Sequence, residues 1–276
     1  MNPYLKILRP KSWLKNLLVF IPLLLFGSVT DNLVACFVAF IMLCCVSSLA
    51  YIANDISNID EDRINSKDRP LATGKVSLDA VLIISEVLFW TFIIIGFFNN
   101  NAVLVISATM LGIDFLYIWK LRDIAIVDVA TIAIKYPLRL LAGFVIVGIF
   151  NPLLMLLVYL IALNLAIMKR KGEWMSGMKR KVFKVYNSTS LDDMFTYTYV
   201  LLNIVTFITL FIVTNSFIIS LLSIPEMYFI GKYYFNIKGY DKAKSLAILK
   251  DKKIVLIGII IFALMVIKLH GVNWIV

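Results

Sequence analysis

Carboxylate and amide side chains are concentrated where the second long apolar run of the chain ends. Asp55, Asn58 and Asp62 lie at spacings of three and four residues within the polar stretch 54–63. If a helix continues through this stretch, their oxygens fall within about 60° of one another on one helix face. Such hard oxygen ligands suit Mg²⁺, which typically takes one or two protein carboxylates together with substrate phosphates. The alternative is an ordinary solvated helix end, but the apolar run before this stretch and the basic residues after it favour a site.

A second group of charges lies within the fifth apolar run. Asp128, Lys135 and Arg139 are separated by seven and four residues, which places them on a stripe about 40° wide on a helix. Charges inside a membrane span are costly and therefore need a reason. Asp128 and Arg139 could pair with other helices to hold a bundle together. We favour a polar stripe that lines a water-filled cavity, with Pro137 kinking the helix there.

The elements that must position these residues are membrane helices. The chain of 276 residues is 61% hydrophobic and 16% charged, with a mean hydropathy of +0.92. These values predict an all-α, polytopic membrane protein, because about 20 apolar residues in a helix cross a bilayer. We expect a single domain over 1–276 with about nine transmembrane helices around a central cavity. The apolar runs are 16–29, 33–53, 78–98, 101–119, 124–149, 151–168, 197–214, 215–231 and 254–270.

Basic residues give the orientation of the helices. All but three of the 27 lysine and arginine residues fall in segments on the same side of this arrangement. The positive-inside rule then places the N-terminus in the cytoplasm and the functional face at the cytoplasmic side of the inner (plasma) membrane. The net charge of +10 reflects this topology and anionic lipid headgroups, so we expect the bilayer as a partner and no nucleic acid. A homo-oligomer is compatible with the sequence, which leaves the oligomeric state open.

Several basic or polar residues flank the predicted helices on that side. Taken singly, each cluster has the ordinary interpretation of a positive-inside signal. Beside a metal held by carboxylates, they describe a site for phosphorylated substrates. The residues concerned are Lys15, Asn16, Tyr117, Lys120, Lys169, Arg170 and Lys171.

Residues 54–62 read NDISNIDED, and residues 69–74 read RPLATG. Together these two segments resemble the first signature of the UbiA-type intramembrane prenyltransferase superfamily. The resemblance implies nine helices around a central cavity, with Mg²⁺ at its cytoplasmic mouth. The helix count from the apolar runs agrees with that expectation.

Four further segments carry a narrower resemblance: residues 9–20 (RPKSWLKNLLVF), 117–120 (YIWK), 128–143 (DVATIAIKYPLRLLAG) and 169–173 (KRKGE). They resemble one branch of this superfamily, the decaprenyl-phosphate phosphoribosyltransferases. The resemblance implies Mg²⁺-dependent transfer of 5-phosphoribosyl from phosphoribosyl diphosphate to a polyprenyl phosphate, with release of diphosphate, in the synthesis of cell-envelope glycan precursors. A lipid phosphate is already ionised and needs no general base, whereas the departing diphosphate needs neutralisation.

The same resemblance implies roles for individual residues. Asp55 and Asp62, with Asn58 assisting, would hold the metal, and Asp55, Asp62, Asp128 and Arg139 form the expected catalytic set. Lys15, Asn16, Lys169 and Arg170 are candidates for the lipid phosphate or the 5-phosphate. The remaining expected contacts to the substrate are Asn54, Arg63, Lys67, Tyr117, Lys120 and Lys135.

The sequence departs from the family pattern at two of these positions. Asn58 stands where the superfamily usually has an aspartate, and Lys135 where the branch usually has glycine. The main alternative is therefore a prenyltransferase that moves a prenyl group from its diphosphate to an aromatic or lipid acceptor. Such enzymes usually carry a second aspartate-rich motif after the sixth helix, whereas residues 169–187 contain Glu173 and no aspartate. A transporter or flippase is a third interpretation, disfavoured because the halves show no repeat. Glu86, Asp114 and Glu226 remain unassigned.

Overall fold

The computed structural model describes residues 2–27, 29–64, 68–236 and 251–269. Within these ranges the structure is all-helical, as expected. The α-helices are α1 (Pro3–Leu8), α2 (Ile21–Phe26), α3 (Val29–Ser57), α4 (Ile59–Ile64), α5 (Leu78–Asn99), α6 (Asn101–Trp119), α7 (Val127–Val147), α8 (Pro152–Met175), α9 (Ser188–Thr214), α10 (Phe217–Ser220), α11 (Ser223–Phe235) and α12 (Lys252–Leu269). Three 3₁₀ helices span Pro10–Phe20, Leu121–Asp123 and Lys181–Lys184.

Six of these helices are long and apolar enough to cross a membrane: α3 and α5 to α9. Large apolar side chains such as Trp90, Phe97 and Phe98 are exposed on α5, as expected for a surface in contact with lipid. The chain is therefore described as an integral membrane protein. The count of nine spans and the cytoplasmic N-terminus stay predictions.

The first expected span differs from the prediction. Residues 16–29 were expected to form one helix, but the long 3₁₀ helix ends at Phe20 and the short helix α2 follows it. Pro22 lies in the first turn of α2. Proline there costs nothing, because the first N–H groups of a helix have no intrahelical partner, whereas inside a continuous helix it would remove a hydrogen bond.

Asparagine side chains cap the N-termini of three later helices, two of them at predicted breaks. Asn100 Oδ1 accepts hydrogen bonds from the N–H groups of Ala102 and Val103 at the start of α6. Asn151 caps α8 in the same way. Asn187 and Ser190 form a reciprocal capping box that starts α9 nine residues before the predicted apolar run.

The chain divides into two compact units. The first comprises residues 1–121 and 138–150, and the second comprises 122–137 and 151–276. In the first unit α3 packs against α5, α6 and the long 3₁₀ helix. In the second unit α9 packs against α8, α10, α11 and α12. The boundary falls within α7, directly after Pro137, and the expectation of a single domain stays a prediction.

Candidate functional site

The polar end of α3 keeps helical hydrogen bonding across the short interruption before α4. The Asn58 N–H donates to the Asn54 carbonyl at 3.1 Å, and the Asp62 N–H donates to the Asn58 carbonyl at 2.8 Å. The continuing pattern brings Asp55 and Asp62, here called the acidic pair, to the same side of the chain. Both are buried, with side-chain exposures of 6% and 1%.

One guanidinium nitrogen bridges the acidic pair. Arg69 Nη1 lies 2.5 Å from Asp55 Oδ1 and 2.6 Å from Asp62 Oδ2, and Arg9 also pairs with Asp55. Two carboxylates therefore face one small volume that holds a positive charge. Buried carboxylates need such compensation, since an isolated buried charge costs several kcal/mol.

The donor set of the acidic pair fits a divalent metal ion. Two carboxylates facing one cationic group are the hard oxygen ligands that Mg²⁺ takes together with substrate phosphates. The amide nitrogen of Asn58 donates to the Asn54 side chain and carbonyl, so only its oxygen could assist. Within the described ranges, no cluster of three or more acidic, histidine or cysteine side chains is arranged as a metal site. Substrate oxygens or water would have to complete the coordination.

The two arginines are placed by contacts of their own. Arg9 adopts a left-handed conformation (φ 50°) between α1 and the long 3₁₀ helix, and its guanidinium lies 4.6 Å from the centre of the Tyr51 ring. Next to Arg69, Asp68 accepts a hydrogen bond from Lys6 at 2.5 Å, which lowers the pKa of Asp68. The ion pairs with Asp55 and Asp62 hold both arginines at the acidic pair.

Asn16 and Arg139 meet in the first unit. Arg139 Nε donates to Asn16 Oδ1 at 2.7 Å. Ser47 Oγ donates to the same oxygen at 3.2 Å, and Asn16 Nδ2 donates to Cys44 Sγ at 3.4 Å. Asn16 is completely buried and Arg139 nearly so. Cys44 is thereby placed in the buried interior, as are Cys36 and Cys45.

The second unit holds a buried network of ion pairs. Arg170 Nε donates to Asp128 Oδ2 at 2.5 Å, and Arg170 Nη1 donates to Glu173 Oε2 at 2.6 Å. Arg180 also pairs with Glu173, at 2.8 Å, and Lys169 lies 3.8 Å from it. Asp128, Arg170 and Glu173 are each at most 1% exposed. These contacts match the alternative in which Asp128 holds helices together, and a direct contact of Asp128 or Arg170 with substrate stays a prediction.

Tyr186 completes this network. Its hydroxyl donates to Asp128 Oδ1 at 2.7 Å and accepts the Ile126 N–H at 2.6 Å, where Ile126 has a left-handed backbone (φ 70°). Burial, and then the bond to Asp128, raise the pKa of Tyr186. Tyr186 therefore remains a neutral donor that fixes Asp128 at the start of α7.

The same ion pairs explain why α8 is longer than expected. The apolar run ends at 168, but the helix continues to Met175 and includes the basic segment 169–171. Pairs at spacings of three and four residues join this segment to Glu173, and such pairs stabilise helices. The expected loop is therefore the last two turns of α8.

The other predicted site residues have varied surroundings. Asn54 accepts the amide of Asn58. Arg63 is exposed and lies 3.5 Å from Asp60. Lys120 is exposed directly after α6, and Lys15, Tyr117 and Lys135 are half-buried. Lys67 lies outside the described residues.

The sequence interpretation did not assign a role to several residues of these clusters. Arg9 and Arg69 were noted only within basic segments and motifs, because their pairing with the acidic pair depends on the fold of the chain. Asp192 was missed because α9 begins before the apolar run. It accepts bonds from Lys171 at 2.8 Å and from Tyr234 at 2.7 Å. No spacing rule indicates Tyr186.

The protein is thus a helical membrane protein with buried carboxylates and arginines at the end of one helix. The model of the UbiA prenyltransferase family matches residues 17–257. The chain belongs to the UbiA prenyltransferase family, a family of membrane transferases, which confirms the superfamily expected from the sequence.

Individual relatives carry different activities in their names. The decaprenyl-phosphate phosphoribosyltransferase of Mycolicibacterium smegmatis is 27% identical over 147 residues, covering 50% of this chain and 46% of that protein. The digeranylgeranylglyceryl phosphate synthase of Methanosphaera stadtmanae is 36% identical over 126 residues, covering 44% of this chain and 45% of that protein. The chain spans about half or less of the length of the curated relatives it matches.

Solved structures share the fold. A UbiA homolog from Archaeoglobus fulgidus, bound to DMAPP and Mg²⁺, has a TM-score of 0.73 at 16% identity, covering 98% of this chain and 99% of that chain. At this identity the likeness establishes the fold alone.

Proposed function

We propose that this chain transfers 5-phosphoribosyl from phosphoribosyl diphosphate to a polyprenyl phosphate, with Mg²⁺ as cofactor. The observation that carries the proposal is the buried acidic pair bridged by Arg69 and paired with Arg9. Carboxylates for a divalent ion and guanidinium groups for phosphate oxygens are the groups that a diphosphate donor requires. Relatives named decaprenyl-phosphate phosphoribosyltransferase support this choice of donor and acceptor.

Asp55 and Asp62 are proposed to hold the metal, with Asn58 assisting. When bound, Mg²⁺ supplies positive charge to the leaving diphosphate. Arg9 and Arg69 are proposed to move from the carboxylates to the diphosphate oxygens once the acidic pair binds its ion, because planar guanidinium groups bind phosphate with two parallel hydrogen bonds.

The transfer itself exchanges one bond at the ribose. An oxygen of the lipid phosphate forms a bond to the anomeric carbon as the bond from that carbon to the diphosphate breaks, and both electrons leave with the diphosphate. The phosphate nucleophile is already ionised, so no side chain has to remove a proton. The task of this chain's residues is to orient the two substrates and to neutralise the departing charge.

The remaining residues indicated by the family resemblance are proposed contacts to substrate. Asp128 and Arg139 stay in the proposed catalytic set, and Lys15, Lys169 and Arg170 are proposed for the lipid phosphate or the 5-phosphate. The proposed contacts to the sugar diphosphate are Asn54, Arg63, Lys67, Tyr117, Lys120 and Lys135.

Prenyl transfer from a prenyl diphosphate is the second candidate. The 36% identity to a digeranylgeranylglyceryl phosphate synthase favours it. Against it, the carboxylate of the segment after the sixth apolar run, Glu173, is neutralised by Arg170 and Arg180. Asp192, at the start of α9, is paired with Lys171. Residues 169–187 hold seven basic side chains and one carboxylate, and this excess of cations favours a cationic segment over a second metal-binding motif.

A transfer assay with purified protein in Mg²⁺ tests the proposal. Phosphoribosyl diphosphate labelled in the ribose is incubated with a polyprenyl phosphate, and the label is measured in the organic phase. We expect label in the lipid and its loss when Mg²⁺ is chelated. Turnover of a prenyl diphosphate, without any transfer from phosphoribosyl diphosphate, would replace the first candidate by the second.

A further inference from the structure

Asn16 lies in a buried cluster with Arg139, Ser47 and Cys44. Its oxygen accepts from Arg139 Nε at 2.7 Å and from Ser47 Oγ at 3.2 Å, and its nitrogen donates to Cys44 Sγ at 3.4 Å. The residue has no exposed surface. A side chain so enclosed is built to hold a neighbour and is poorly placed to reach a ligand.

The position of Asn16 relative to Arg139 is fixed by a close contact of two backbones. A Cβ atom on Gly143 would lie 2.2 Å from the Val19 carbonyl oxygen and 3.0 Å from Pro22. Gly143 follows Arg139 by one helical turn of α7, and Val19 follows Asn16 by one turn of the 3₁₀ helix. Only glycine allows this approach, which holds the two helices in the register that joins Asn16 to Arg139.

An amide holds a guanidinium without neutralising it. Asn16 Oδ1 accepts a hydrogen bond but carries no net charge, whereas an aspartate at this position would form a buried ion pair with Arg139. The hydrogen bond therefore orients Arg139, and Asn16 itself adds no negative charge beside the guanidinium, whose electrostatic interactions are stronger at this buried position than in water. An oriented guanidinium suits the diphosphate group of a substrate.

We propose that Asn16 is a positioning residue for Arg139 and thereby supports diphosphate binding. This assignment rests on the proposed function, which places Arg139 among the residues that contact the substrate. It changes the expected role of Asn16 from a substrate contact to a residue that acts through Arg139.

Binding of inorganic diphosphate in the presence of Mg²⁺, measured by calorimetry on the full chain in detergent, tests the proposal. Diphosphate is the product of both candidate reactions, so the result does not depend on which group is transferred. We expect Asn16→Asp to weaken binding about tenfold, the size of one charge–charge interaction in a partly screened site. Arg139→Gln should weaken it by a similar factor.

The double variant separates positioning from direct contact. If Asn16 acts through Arg139, the uncharged Asn16→Ser weakens diphosphate binding in the wild-type chain but has no further effect in the Arg139→Gln background, because interacting residues are not additive. Effects that multiply in the double variant would mean that Asn16 contacts the ligand independently and would overturn the proposal. Unchanged binding in Asn16→Asp would overturn it as well.

Two further variants guard against a general loss of structure. Asn203→Asp makes the same chemical change at a buried amide of α9, where Asn203 donates to the Tyr199 carbonyl, and should leave diphosphate binding unchanged. If Asn16→Asp does not fold, the uncharged Asn16→Ser, too short to reach Arg139, should weaken binding only when Arg139 is present.

A wild-type chain that binds no diphosphate would reject both this proposal and the proposed function, whereas binding without transfer would reject only the latter.

Discussion

Among single residues, the carboxylates of the polar stretch 54–63 differ in their burial although they are close in sequence. Asp55 and Asp62 are enclosed and paired with arginines, while the Asp60 side chain is 85% exposed. Their helical spacing was readable from the sequence, since i and i+7 lie close on one face. The bridging by Arg69 was not, because it depends on the fold of the chain after α4.

Asp55→Asn should abolish transfer, with a loss of about a thousandfold or more, because the variant removes a negative ligand charge while keeping the shape of the side chain. Asp31→Asn is the matched control. It makes the same change in the first turn of the same helix, where Asp31 is exposed. Initial rates in the labelled-lipid assay measure both. Retained turnover in Asp55→Asn would contradict the assignment of this residue to the metal.

Among the helices, continuous apolar runs predicted most of the long ones, and polar interactions explain where the predictions of their ends were wrong. α8 continues past its apolar run because Lys169 and Arg170 are neutralised by Glu173 and Asp128. α9 starts early because Asn187 caps it. Hydropathy measures transfer to lipid and does not include ion pairs or caps, so it could not predict these ends.

The contact between α7 and the long 3₁₀ helix makes Gly143 sensitive to any side chain. Gly143→Ala should reduce stability by about 1–3 kcal/mol, the usual cost of overpacking a close contact, because its Cβ would overlap the Val19 carbonyl. Thermal unfolding in detergent measures the change.

The matched control for this element is Gly112→Ala in α6. A Cβ at Gly112 meets nothing within 4 Å, and alanine favours helix over glycine by up to about 1 kcal/mol, so stability should be unchanged or slightly higher. Equal melting temperatures for Gly143→Ala and the wild-type chain would show that the two backbones do not approach as described.

At the scale of the whole molecule, composition and hydropathy were sufficient for the class of protein. The 61% hydrophobic content predicted a polytopic helical membrane protein, and the six long apolar helices and the family membership agree with it. The number of spans stays a prediction, and residues 16–26 of the first expected run are divided between the end of the long 3₁₀ helix and α2. The meeting of the acidic pair with Asp128 stays a prediction, since these residues belong to different compact units.

The donor and acceptor substrates are less well determined than the class of protein. Family membership establishes a transferase class, whereas the donor and acceptor follow from relatives that share about a quarter to a third of their residues over half of this chain. Substrate specificity depends on a few side chains of the site, and hydropathy or charge patterns in a sequence do not identify them. Mg²⁺ and a diphosphate group are common to both candidate reactions.

Binding of Mn²⁺ would show whether the acidic pair holds a divalent ion. Electron paramagnetic resonance titration of the full chain in detergent, in the presence of inorganic diphosphate, would count the bound ions. We expect a bound ion in the wild-type chain and in Asp31→Asn, and its loss in both Asp55→Asn and Asp62→Asn. Mn²⁺ binding that persists unchanged in these two variants would exclude the acidic pair as the metal site.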